Sequence, residues 1–170
     1  MKKLVTLFIG WAFIFLKAQA LIWVTVDPSI AQSNPDMLVY KTVQEAVSDI
    51  VASALPEQVC VFIKNGTYGE VFIGNKDVKP AVKISLIGQS RDGVIIESTN
   101  WFGKRGFKAQ INPTDSVWFD RNTSAALYVN GPNDGTANFY AENITFRNLS
   151  GRGQSQEEAN VIYVRDLDGF

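Results

Sequence analysis

The side chains this chain can bring to chemistry are carboxylates, carboxamides, amines and phenols. Its 170 residues include no histidine and a single cysteine. A Ser-His-Asp or Cys-His couple therefore cannot be assembled from these residues. A zinc site, which usually takes histidine or several cysteines, is disfavoured. No carboxylate cluster is dense enough to suggest calcium. No metal and no cofactor is expected. Asp166 and Asp168 are spaced to share one face of a strand, but they stand in a turn-like Arg-Asp-Leu-Asp-Gly stretch. They read as a solvated turn rather than an acid–base couple. Cys60 sits inside the apolar run Val59–Ile63 and reads as a small buried hydrophobe. Being alone, it makes no internal disulfide.

The elements that must position such groups are short strands. Hydrophobic residues make up 46% and charged residues 19% of the chain, an ordinary globular mix large enough for one domain with a core. The net charge is -1, and no stripe of Lys and Arg follows the first few residues. Nucleic acid is therefore not an expected partner. Gln58–Ile63, Val82–Ile87, Val94–Glu97, Ala125–Asn130, Ala137–Phe146 and Val161–Val164 read as strands. Turns at Asn65-Gly66, Gly88, Asp92-Gly93 and Asn130-Gly131 separate them. No helical pattern fills the gaps, which argues against alternating strand–helix units and leaves a sandwich, a barrel or a β-helix. The run Val59–Ile63 is apolar on both faces, as parallel sheets prefer. Strand, glycine and turn recurring along the chain is the pattern of a solenoid, whose side offers a long face to an extended polymer.

One helix stands ahead of the strands. Thr42 and Glu45 form a capping box, and Val43, Ala46, Val47, Ile50, Val51 and Ala54 line one stripe before Pro56. Its expected role is a lid over the end of the stack. An opening strand is expected at Trp23–Asp27, stopped by Pro28. Thr99–Arg121 interrupts the period with Trp101, Phe102, Phe107, Trp118 and Phe119 among polar residues. These aromatics read first as packing of a long loop, and second as faces on which sugar rings stack.

Residues 1–20 read as a secretory signal peptide: Met1-Lys2-Lys3, an apolar run Leu4–Leu16, then Ala18-Gln19-Ala20. The apolar run is shorter than the roughly 20 residues of a membrane span. An uncleaved anchor is the rival, since Leu21–Val24 continues the apolar character. The mature chain is expected to be residues 21–170, a secreted monomer with no membrane association. Asn65, Asn122, Asn143 and Asn148 each begin an Asn-x-Ser/Thr triplet, read here as chance in Asn-rich turns.

The segment Lys64-Asn65-Gly66-Thr67-Tyr68-Gly69-Glu70 resembles the Lys-x-Gly-x-Tyr-x-Glu motif of the pectinesterases (pectin methylesterases). Tyr40–Val47 is similar to that family's opening helix, and Ile84–Ile96, Ser124–Val129 and Phe139–Asn148 are similar to its following rungs. The five blocks stand in the family's order, and the resemblance spans nearly all of residues 38–170. The resemblance implies a right-handed parallel β-helix with one N-terminal capping helix. It implies a pectin substrate, an extracellular or cell-wall setting, and ester hydrolysis by an aspartate nucleophile and a second aspartate that exchanges protons, with glutamines at the oxyanion. Both aspartates and the orienting arginine are expected downstream of Phe170, so no catalytic residue is assigned within the chain. The family's earlier oxyanion glutamine aligns with Glu158 in Glu158-Ala159-Asn160-Val161-Ile162-Tyr163-Val164. A carboxylate donates to an oxyanion only when protonated, and Gln156 takes that place only if the register shifts. Glu158 and Gln156 are the candidate substrate-binding residues, with a solvated turn as the plain alternative for Glu158. The 170 residues are expected to be the front part of a longer domain. A non-catalytic pectin-binding β-helix is the second reading, and a lyase or polygalacturonase the third.

Overall fold

The computed structural model describes residues 21–53, 58–73, 83–100, 125–130, 139–150 and 161–165, together with the backbone of two short strands at 105–107 and 116–118. In chain order the elements are β1 (Leu21–Val26), a 3-10 turn at Pro35–Met37, β2 (Val39–Tyr40), α1 (Val43–Ala52), β3 (Gln58–Ile63), β4 (Gly66–Tyr68) and β5 (Val71–Ile73). They continue with β6 (Lys83–Gly88), β7 (Val94–Ser98), β8 (Arg105–Phe107), β9 (Ser116–Trp118), β10 (Leu127–Asn130), β11 (Phe139–Glu142), β12 (Thr145–Asn148) and β13 (Ile162–Arg165).

The strands form three walls. The first runs β11-β6-β3-β1-β2, the second β12-β7-β4 and the third β13-β10-β5. Every pairing in them is parallel. The chain visits the walls in rotation: β3, β4 and β5 make one rung, β6, β7 and β10 the next, β11, β12 and β13 the third. This is a parallel β-helix, and the general rule for parallel crossovers makes such a coil right-handed. The expected long loop Thr99–Arg121 contains β8 and β9, an antiparallel pair.

Register explains the core. Val24, Val61 and Leu86 stack inward in one row of the first wall, and Ile22, Val59, Ile84 and Phe139 in another. Val94 and Ile96 do the same on the second wall, Val71, Ile73, Leu127 and Val129 on the third, each 0–2% exposed. Burying one such side chain fully contributes roughly 1.5–3 kcal/mol. Cys60 points the other way in β3 yet is also buried and unpaired, so the strand is covered on both faces as its sequence suggested. In the third rung the inward residues Ala141, Ile144, Phe146 and Val164 are only partly buried.

The helix closes the lower end. Thr42 caps it with the full capping box, and Val43, Ala46, Val47 and Ile50 are buried. It stops at Ala52, two residues before the Ala54 that its apolar stripe suggested, with Ser53 as C-cap. Gln44 acts as a substitute strand: its amide donates to the Phe72 carbonyl at 3.2 Å and accepts from the Phe72 N–H at 2.6 Å. The edge of β5, first strand of the third wall, is thereby satisfied. Lone edges otherwise invite further pairing.

Two expectations needed correction. Gly66–Tyr68, which begins at the expected Asn65-Gly66 turn, and Val71–Ile73, absent from the expected strands, are strands of three residues each. Ala137–Phe146, expected as one strand, is broken at Asn143 (φ 55°), so β11 and β12 lie on different walls. Asparagine tolerates this left-handed backbone better than most residues. At that corner the Asn143 carbonyl oxygen lies 2.0 Å from where a Cβ on Gly88 would stand. Only glycine leaves room for the rung above. Gly88→Ala is expected to cost about 3 kcal/mol or more, whereas Ser85→Ala on the outward face of the same strand stays within about 0.5 kcal/mol. Urea midpoints followed by circular dichroism test this, and equal midpoints for Gly88→Ala and wild type would refute the tight corner.

Candidate functional site

The segment Lys64–Glu70 turns the chain from the first wall through the second to the third. The Lys64 ammonium meets the Asp27 carboxylate at 2.6 Å. Asn65 donates its N–H to the Gln89 side chain at 3.0 Å and accepts from the Ser90 hydroxyl at 2.9 Å. Gly66 donates to the Gly93 carbonyl at 2.8 Å, and a Cβ on Gly66 would lie 2.9 Å from the Pro28 ring. Tyr68 donates its hydroxyl to the Lys64 carbonyl at 2.6 Å. Burial first, and the Asp27 charge second, push its phenol up to about 12. Glu70 accepts from the Asn100 amide at 3.0 Å. The Lys64, Asn65, Tyr68 and Glu70 side chains are each engaged by other groups of the protein. The segment with the strongest sequence signature is thus architectural.

Chemistry with a partner therefore has to come from a wall. The third wall carries outward the row Phe72, Tyr128 and Tyr163, paired in register. The Phe72 and Tyr128 ring centres are 6.3 Å apart, and the Tyr128 and Tyr163 rings stack at 5.8 Å and 17°. Phe72 is 5% and Tyr128 3% exposed, so these rings pack against protein. Tyr163 is only half-buried and is the most accessible ring of this row. Alternation along β5 and β13 puts Glu70 and Val161 on the same outward side, one row earlier.

Ser98 and Asn100, both buried, form the polar corner that leads onto this wall. The Ser98 hydroxyl accepts from the Asn100 N–H at 3.0 Å, and the Asn148 amide donates to the Asn100 carbonyl at 3.0 Å. Backbone and side chain of successive rungs are thus tied beside Glu70. Sequence reasoning did not single out Glu70, Asn100 or Tyr163 for this arrangement. Their alignment follows from register, which no local signal carried.

Gln156, Glu158, Asp166 and Asp168 lie outside the described residues, as do the leader 1–20 and Trp101, Phe102 and Phe119. Gln156 and Glu158 precede β13, the strand that bears Tyr163, and Asp166 and Asp168 follow it. Phe107 and Trp118 fall on β8 and β9. Among the described residues no group of three His, Cys, Asp or Glu side chains is placed to hold a metal ion, and no helix is long and apolar enough to cross a membrane.

No protein-family model and no curated protein matches the sequence. Among solved structures the chain is similar to a pectin methylesterase, PemA, from Erwinia chrysanthemi, at 20% identity and a TM-score of 0.48. That match covers 84% of this chain and 38% of the other. Two pectin methylesterase structures with bound hexasaccharides, one a D178A mutant, match at 19% identity and a TM-score of 0.49, covering 86% of this chain and 43% of theirs. The chain thus spans less than half the length of these structures.

The Lys64–Asp27 pair gives a pH test of the corner. The hydrogen bond from Lys64, then those from the Ser29 hydroxyl and N–H, hold the Asp27 carboxyl at about 2, against 3.8 for an ordinary aspartate. A depressed folded-state value contributes stability that is fully present above the unfolded value and is lost as pH falls through the folded one. Wild type should exceed Asp27→Asn in stability by a constant margin above the ordinary aspartate range. That margin should close as pH falls from 3.8 to about 2. Urea midpoints across that window check it, and a margin unchanged at the acid end counts against the pair.

Proposed function

We propose that this chain is the N-terminal part of a secreted carbohydrate esterase that removes methyl esters from pectin and binds the polysaccharide along its third wall. The observation that carries the reading is positional. The segments that resemble the pectinesterases follow one another along three rungs of one coil, Lys64–Glu70 on the first, Ile84–Ile96 and Ser124–Val129 on the second and Phe139–Asn148 on the third, in the same order. The strand that follows Glu158 pairs with β10, which in turn pairs with β5, on the wall that carries Tyr163.

In the reaction the oxygen of water bonds to the carbonyl carbon as the carbon–methoxy bond breaks, one of its protons leaves on methanol, and the other is released as the uronate carboxylate forms. A carboxylate nucleophile and a carboxylic acid with separated protonation states suit this without histidine, in keeping with the composition. The resemblance places those groups beyond Phe170, so what these residues contribute is a rigid wall, an aromatic face at Tyr163 and polar groups near Glu70. The protein acts as a monomer outside the cell, residues 1–20 being removed on export. The second reading is a non-catalytic pectin-binding β-helix. It is favoured by Glu158 standing where the family has a glutamine, since a carboxylate donates to an oxyanion only when protonated.

Methanol release from methyl-esterified pectin by the product of the complete coding sequence tests the first reading, and its absence would end it. The 170-residue chain alone is expected to bind the polymer but show no turnover above a blank. Tyr163→Ala should weaken that binding roughly five-fold, the order expected for loss of one stacking contact. Unchanged affinity would remove the third wall from the binding surface.

A further inference from the structure

Three of the Asn-x-Ser/Thr triplets fall among the described residues, at Asn65, Asn143 and Asn148. In sequence they look alike, and the fold separates them. Asn65 and Asn143 stand at the vertex between the first and second walls, on the first and third rungs. Strand spacing sets them about 10 Å apart along the coil. Both are exposed. The Asn65 Oδ1 accepts from the Ser90 hydroxyl at 2.9 Å, while its Nδ2 and the whole Asn143 side-chain amide meet no hydrogen-bond partner among the described residues. Asn148 differs. Its Nδ2 donates to the Asn100 carbonyl at 3.0 Å, and its Oδ1 accepts from the Ser150 N–H at 2.9 Å. It is half-buried against Asn100, itself 7% exposed. Both ends of its amide are used to tie two rungs together.

We infer that Asn65 and Asn143 are acceptors of N-linked glycans and that Asn148 is a structural tie left bare. The inference draws on the export part of the proposed function and not on its ester chemistry. The donor is an oligosaccharide carried on a lipid diphosphate. The asparagine Nδ2 bonds to C1 of the first sugar, the bond from C1 to the diphosphate oxygen breaks, and one amide proton is released as the lipid diphosphate leaves. Oδ1 is untouched, so the Asn65 bond to Ser90 survives the reaction. Transfer meets the chain as it is threaded, so the fold decides which occupied asparagines a finished molecule can carry. A glycan is bulky and hydrated and needs a surface position. The vertex that bears Asn65 and Asn143 is the corner to which the third wall contributes no strand. Two glycans there cover the short links between walls and leave the Tyr163 face clear.

Expression of the 170-residue chain, with its own leader, in a eukaryotic secretory host tests this. Every form carries Asn122→Gln, because Asn122 lies outside the described residues. Trypsin cuts after Lys64 and Arg147 and so puts the three asparagines on separate peptides. Enzymatic glycan removal turns an occupied asparagine into aspartate, which mass spectrometry reads in secreted or cell-retained chain. Asn65 and Asn143 should be occupied and Asn148 bare. Thr67→Ala, which spares the Asn65 contacts, and Asn143→Gly, which keeps the left-handed backbone available, should each remove one glycan and leave the other. The peptide masses report this whether or not a variant folds. A bare Asn65 or Asn143 in a chain whose leader has been removed overturns the inference and leaves export standing. Occupied Asn148 in soluble chain overturns it as well. A retained leader with all three asparagines bare sinks export and the inference together, whereas a retained leader with Asn65 and Asn143 occupied upholds the inference and corrects only the cleavage.

Discussion

The parallel backbone ladder from rung to rung is the interaction on which the molecule depends, and a ladder has ends that must be satisfied. At the lower end each wall uses a different device. The first wall is extended by β1 and the two-residue β2. The second is bounded at β4, where the Pro28 ring, which brings no N–H, lies against Gly66. The third is closed by a side chain: the Gln44 amide gives the Phe72 backbone the donor and acceptor that a neighbouring strand would supply. The helix that carries Gln44 also buries Val43, Ala46, Val47 and Ile50 over the first rung. One element thus covers apolar interior and polar edge together, which an apolar lid alone could not do.

How much of this was legible in the sequence depended on the range of the signal. The helix was readable because Thr42, Glu45 and the apolar stripe all act within a few turns. The strands Gln58–Ile63 and Val94–Glu97 were readable because period-two or doubly apolar runs are local. The strands β4 and β5 were not, since three residues carry no period. Nor was the break at Asn143, because apolar residues continue on both sides of it and only the left-handed backbone separates the walls. The outward row Phe72, Tyr128 and Tyr163 could not be seen in sequence at all. It exists only once Tyr128 is in register with both neighbours. The candidate residues that local comparison did supply, Gln156 and Glu158, lie outside the described residues, so the site rests on the wall they lead into.

Charge and shape divide the surface by task. The outward face of the second wall carries the Arg147–Glu97 pair at 2.6 Å, across neighbouring strands in register. Such exposed pairs contribute little, and this face reads as a solvated side. The third wall and the cavity beneath α1 instead combine rings with carboxylates and amides. They share Glu70, whose position is fixed by Asn100, itself tied to Asn148 one rung higher.

The two kinds of corner differ in how much chain they hold. Between the first and second walls the links are short and locked: Lys64-Asn65, then Gln89–Gly93, then Asn143-Ile144. Between the second and third walls the chain runs from Ser98 to Leu127 on one rung and from Asn148 to Ile162 on the next, while Tyr68, Ile96 and Phe146 remain stacked in register. The scaffold thus treats one vertex of its cross-section as a hinge pin and another as an open socket. A protein engineer wishing to graft a foreign recognition loop would find in that second vertex a place where length can change and the coil need not.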